Sequence, residues 1–263
     1  MIHYPSDLQA ATLCTLQFVE PIETELYPEQ YDYYAPKITN QELKVQVLIS
    51  AALYAFTGEN VLWIRAYTES GMVKLQKAMT VATVSSGIYT ATATFSKSDI
   101  AAISENTCAY FSIEKKDKSV VYATSLYYII NPTDTKDLKQ ITYGHSENDY
   151  NVQFGNDTFQ ITLECGFKPS DLRTEQEQED FMQQNMVNET VYGDSYEVKG
   201  LTTGVIPFWL AHKLDMASIL DTFKINDVAH TRIQGSKMEK TESSQEGLGV
   251  YKLDLQTLIN YLQ

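Results

Sequence analysis

The sequence predicts a mostly β protein with some α, in which a β-sandwich precedes an α+β domain. Three observations carry this. Residues 41–131 hold runs of alternating apolar and polar residues about every ten positions, with turn clusters between them. Residues 132–263 mix such runs with one strong helical segment. The composition, 43% hydrophobic and 21% charged over 263 residues, is that of a globular protein and excludes disorder, collagen and coiled coil as the main architecture. The predicted organisation is an N-terminal strand and Tyr-rich arm (1–40), a β-sandwich (41–131) and an acidic α+β domain (132–263).

In chain order, TLCTLQFVEPIETE at 12–25 reads as a strand stopped by Pro21. LYPEQYDYYAPKITN follows, with no helical or strand period and four tyrosines, Tyr27, Tyr31, Tyr33 and Tyr34. Tyrosine offers contact area with a polar tip, so this arm is a candidate partner contact. KVQVLIS puts Val45, Val47 and Ile49 on one face and Lys44, Gln46 and Leu48 on the other. VLWIRAYT sets Leu62, Ile64 and Ala66 against Val61, Trp63, Arg65 and Tyr67. After the turn at 69–71, MVKLQKAMTVATV reads as one β run to a second turn at 85–87. IYTATATF alternates most strictly, and KSDIAAIS reads as a helical turn with Ser98 as its N-cap. CAYFSIE, the turn KKDKS and VVYATSLYYII complete the sandwich, and Asn131-Pro132 ends it.

Residues 132–150 read as a polar linker. DTFQITLECGF is a predicted strand, and EQEQEDFMQQN a predicted helix started by Ser170 or Asp171. SYEVKGLTTG reads as a strand and turn. PFWLAHKLDMASILDTF is the strongest helix, with Pro207 at its first position and Leu210, Leu214 and Ala217 at helical spacing. KINDVAHTRI reads as a strand or a hairpin with a turn at Asn226-Asp227, GSKMEKTESSQEG as a loop, and VYKLDLQTLINYLQ as a final strand or a strand passing into a short helix.

The net charge of −14 is uneven: −5 over residues 1–40, +1 over 41–131 and −10 over the remainder. Such a chain repels polyanions, so no sequence-specific nucleic-acid binding is expected. Three scattered cysteines without CxxC or CxH spacing predict neither a disulfide framework nor a zinc site. No stretch of about 20 apolar residues predicts a membrane span, and the N-terminus lacks the charge and apolar core of a signal peptide. No Walker loop, GxSxG, GxGxxG or HExxH motif occurs. His145-Ser146 with Asp149 offers the residue types of a triad only as neighbours in one loop, and His212 with Asp215 reads as a surface pair. Glu175, Glu177, Glu179 and Asp180 read as a solvated helix face. No catalytic residue, cofactor site or metal site is predicted. In GVIPFWLAHKL, Phe208-Trp209 is a candidate interface anchor or a local core plug.

Two resemblances sharpen these expectations. LKVQVLISAALYAFTGENVLWIRAYTESG, GIYTATATF and CAYFSIEKKDKSVVYATSLYYI resemble in layout the N-terminal immunoglobulin-like domain of phage baseplate upper proteins. The succession ITYGHSENDYNVQF, FQITLECGFKPSD, the predicted helix EDFMQQN with VYGDSYEVKGLTTG, GVIPFWLAHKLDMASIL and FKINDVAHTRI resembles tail and neck proteins of phages of gut Bacteroidota, the crAss-like group. The resemblance implies a virion structural protein of the tail, neck ring or baseplate, made in the bacterial host cytoplasm and without catalytic residues. Its implied partners are copies of itself in a ring and other tail, neck or portal-associated proteins, with no membrane. The alternatives are a β-sandwich module of a tail fibre that recognises glycan or host surface, and a tail-associated hydrolase.

Overall fold

The computed structural model describes residues 8–10, 14, 16, 18–19, 36–51, 53–54, 62–85, 87–147, 158–168, 172–182, 188–243 and 247–257. The chain is mostly β with some α, as its alternating runs predict.

The first half forms two sheets. One contains β1 (Leu8–Ala10), β4 (Leu43–Ser50), β7 (Thr80–Ser85) and β8 (Ile88–Phe95), in the order β1-β4-β8-β7. The other has β5 (Leu62–Thr68) between β6 (Val73–Ala78) and β9 (Thr107–Lys115). β10 (Val121–Ser125) and β11 (Tyr128–Ile130) both pair with β9, and two short strands, β2 (Phe18–Val19) and β3 (Lys37–Ile38), flank them. The alternation read from the sequence holds: Val45, Val47, Ile64, Ala66, Ala91 and Ala93 are all buried. Phe95 from one sheet meets Phe111 from the other at 5.9 Å between ring centroids, so both sheets bury their apolar faces in one core. The run expected to be continuous at 72–84 breaks at buried Met79, whose N–H donates to the Leu62 carbonyl at 2.9 Å. There the chain crosses from one sheet to the other.

The helical turn α1 (Lys97–Ala101) is capped by Ser96, not Ser98. Ser96 has extended backbone, its Oγ accepts from the Asp99 N–H at 3.2 Å, and its own N–H donates to Asp99 Oδ2 at 2.8 Å. That reciprocal pair is a capping box, and it outcompetes a cap two residues later.

The second half departs further from expectation. The supposed linker contains β12 (Leu138–Gly144). The supposed acidic helix is a strand, β14 (Arg173–Met182), paired along its length with the 16-residue β15 (Asn188–Thr203). The E-Q-E-Q-E spacing has a strand's period of two, and pairing with β15 overrides the helix propensity of Glu and Gln. The supposed loop after Gly235 carries β19 (Glu239–Ser243), which pairs with β20 (Leu248–Thr257). Helix α2 (Phe208–Ala217) lies where predicted, but Pro207 is its N-cap (φ −72°, ψ 153°), at the end of the short strand β16 (Ile206–Pro207).

With β13 (Phe159–Phe167), β17 (Thr222–Ile225) and β18 (Val228–Arg232), these strands close on themselves. β12 pairs with β13 and β17, β17 with β18, β18 with β20, β20 with β15, and β15 with β13, all antiparallel. The result is a six-stranded closed barrel, which removes free edges around its circumference. Tyr143 and Phe159 stack in its core at 5.9 Å. The two halves touch through β13: Lys37 pairs with Glu164, Thr162 donates to Gln41 and lies 3.2 Å from Thr39, and Lys44 sits 5.5 Å over the Phe159 ring. This contact explains why Lys44 is buried although it points away from its own sheet's core.

Candidate functional site

The outward face of the β5–β9 sheet concentrates the most unusual chemistry of the first half. Strand alternation sends Trp63, Arg65 and Tyr67 outward, and register places them opposite Glu114, Ser112 and Tyr110. Tyr67 and Tyr110 stack at 5.2 Å, Tyr127 meets Tyr110 edge-on at 5.2 Å, and the Lys118 ammonium lies 5.9 Å over Tyr67. Beneath them Arg65 and Glu114 pair at 2.7 Å, each only 3% exposed. Arg65 also donates to the carbonyls of Lys115 (3.2 Å) and Lys116 (2.7 Å) and stacks on Trp63 at 5.6 Å. Burial first, and then a hydrogen bond with Glu114, push the Tyr67 phenol well above its ordinary value. The arrangement is a rigid aromatic platform over a satisfied ion pair. It offers stacking surface and hydroxyls.

The predicted anchors on α2 part company. Phe208 is 66% exposed and stacks on His212, one turn along, at 6.2 Å. Trp209 packs against the core with the Lys213 ammonium 5.2 Å over its ring. Phe208 is therefore available to a partner, and Trp209 plugs the local core. Lys213 is itself buried and donates to the Cys14 carbonyl, tying the N-terminal segment to α2. Burial pulls its ammonium down to about 8. Tyr27, Tyr31, Tyr33 and Tyr34 lie outside the described residues.

The neighbours with triad chemistry are arranged structurally. Asp149 lies outside the described residues, and among those described the acid beside them is Asp221, which sequence distance hid. Its Oδ2 accepts from the Ser146 N–H at 2.9 Å and from the Ser146 hydroxyl, and lies 2.8 Å from His145 Nδ1. Ser146 and the His145 imidazole therefore both face the one carboxylate of Asp221. The bonds from Ser146 hold the Asp221 carboxyl below its usual range. His212 does not pair with Asp215, which instead accepts from the Met238 N–H at 2.8 Å and pairs with Arg232 at 3.1 Å. Burial pushes the Cys165 thiol up to about 12 and raises Cys108 as well, so both stay protonated near neutrality. Among the described residues no cluster of His, Cys, Asp or Glu could hold a metal, and no helix is long and apolar enough to cross a membrane.

Two shallow clefts flank the 233–237 turn. One of about 350 Å³ is lined by Arg173, Lys237, Glu239, Lys252 and Asp254, with Arg173 and Asp254 paired at 2.8 Å. The other, about 570 Å³, includes exposed Ile219 beside Arg232. Mixed charge and wide mouths suit a contact surface better than an enclosed small-molecule site. No protein-family model matches the chain, and comparison with curated proteins and with solved structures finds no match.

Proposed function

We propose that this chain is a virion structural protein of a phage tail, neck ring or baseplate, which oligomerises as an adaptor between symmetric layers and catalyses no reaction. One observation carries the proposal most. Among the described residues β14 pairs with β15 alone, and residues 188–197 of β15 pair with β14 alone, so a two-stranded arm leaves the closed barrel. A two-stranded ribbon is marginal in water by itself, and contact with another subunit stabilises it. Phe208, exposed at the start of α2, adds an apolar anchor of the kind found at interface centres. The order β1-β4-β8-β7 against β6-β5-β9-β10 supports reading the first half as an immunoglobulin-like sandwich, a module suited to assembly and adhesion.

Light scattering coupled to size exclusion, followed by negative-stain microscopy, tests this reading. The expected result is a closed ring, or assembly on adding the virion proteins encoded beside it. A monomer that joins none of them overturns it. The Tyr67–Tyr110–Tyr127 face favours a second reading, in which the sandwich recognises glycans through ring stacking. Glycan-array binding lost in Tyr110→Ala would support that reading, and an array without hits would remove it.

A further inference from the structure

We infer that the uncovered edge of β7 is a docking strand for a second copy of this chain, and that its occupant is the acidic β14 of that copy. The inference rests on the ring-forming reading above and specifies its contact.

Free strand edges are templates for pairing, and proteins usually blunt them with charge, proline or a covering element. Among the described residues this sandwich blunts one edge and leaves its neighbour open. β6 carries Lys74 and Lys77. Lys77 reaches across to donate to the Thr94 carbonyl, on the stretch of β8 beyond the last β7 partner, Thr92. β7 has no such device. Its sequence TVATVS has no charge and no proline, and it pairs with β8 alone. Thr80, Ala82, Thr83 and Val84 are exposed.

Charge selects the occupant. Residues 73–95, which span β6, β7 and β8, contain two lysines and no acid, in a chain with 34 acids; Lys97 follows, and Asp99 lies 3.8 Å from Lys77. Residues 172–197, which span β14 and the arm portion of β15, carry seven acids and one arginine, a net of −6. β14 ends its sheet's strand order, so one of its two sides is unpaired among the described residues. A strand of ten residues can cover the six of β7, with backbone hydrogen bonds giving affinity and the charge contrast giving register. The two surfaces differ, so the contact is heterologous and propagates from copy to copy until it closes.

The experiment uses the full chain with Thr83→Cys and Gln178→Cys, singly, mixed and combined. Mild oxidation of the mixed single variants should give the 83–178 heterodimer, and the combined variant a ladder of linked copies. Lys74→Glu with Lys97→Glu, both on exposed positions, should lower the cross-link yield several-fold, and Glu175→Lys with Glu177→Lys in the partner should restore it. Assembly by light scattering without the 83–178 link, or with a yield indifferent to these charges, overturns the edge contact and leaves the ring reading standing. Links between position 83 of both copies alone overturn it in favour of a symmetric edge pair. Absence of both cross-link and concentration-dependent mass overturns the contact and the ring reading together.

Discussion

Arg65 and Glu114 sit 49 positions apart in sequence and 2.7 Å apart in the fold. Removing either leaves the other charge buried and unpaired, which destabilises far more than losing the pair as a unit. Arg65→Met or Glu114→Leu alone should therefore lower unfolding free energy by about 3–5 kcal/mol. The double replacement Arg65→Met/Glu114→Leu should lose much less than their sum in a urea-denaturation cycle. His230 sets a pH dependence of defined sign. It is buried against Phe167 (5.2 Å), lies 3.5 Å from the Thr257 hydroxyl, and burial followed by the Lys199 charge pulls its imidazole from 6.5 down to about 4. Between those values the unfolded chain binds the proton and the folded chain does not, so this group's stability is full above pH 6.5 and falls as pH drops toward 4. Urea midpoints in wild type and His230→Gln should diverge only in that window. At this scale the sequence discloses direction but not environment. Alternation placed Trp63, Arg65 and Tyr67 on one face, yet nothing local marks Glu114 as the partner or Asp221 as the acid beside Ser146.

At the scale of elements, legibility followed whether a signal was local. Helix α2 was readable because its apolar spacing and Pro207 lie within it. β14 was not, because its Glu and Gln residues favour helix in isolation and its strand state comes from β15, six or more positions downstream. β12 and β19 were missed for the same reason: short polar runs become strands only when β13, β17 and β20 supply their ladders. The cap of α1 was misplaced because two serines precede Asp99, and only Ser96 stands three residues ahead of it. Ser96→Ala should cost about 1 kcal/mol and Ser98→Ala a few tenths at most, measured as shifts in the thermal midpoint. Equal effects would assign the cap wrongly. Lys213 couples two elements, since its ammonium holds the Cys14 carbonyl from within α2. Lys213→Met keeps the apolar stem and removes that bond, so amide exchange should quicken at the N-terminal segment while the α2 interior stays protected.

At the scale of the whole molecule, the sandwich and barrel bury their side chains in one continuous cluster, joined where β13 meets the 37–44 segment. The sequence suggests a polar linker between the halves at 132–150, and a linker alone would let each half melt by itself. A shared core with a buried hydrogen bond between Thr162 and Gln41 couples them instead. The chain carries its own reporters, since of its two tryptophans Trp63 lies in the sandwich and Trp209 on the barrel helix. Trp63→Phe leaves fluorescence from the barrel alone, and Trp209→Phe leaves the sandwich alone. After correction for each variant's own stability change, both probes should trace the same urea transition as far-UV circular dichroism. Thr162→Val, which removes the hydroxyl that donates to Gln41 Oε1 at the junction, should lower the stability read by both probes together by about 1–3 kcal/mol. Two separated midpoints would instead mean that the halves are independent bodies.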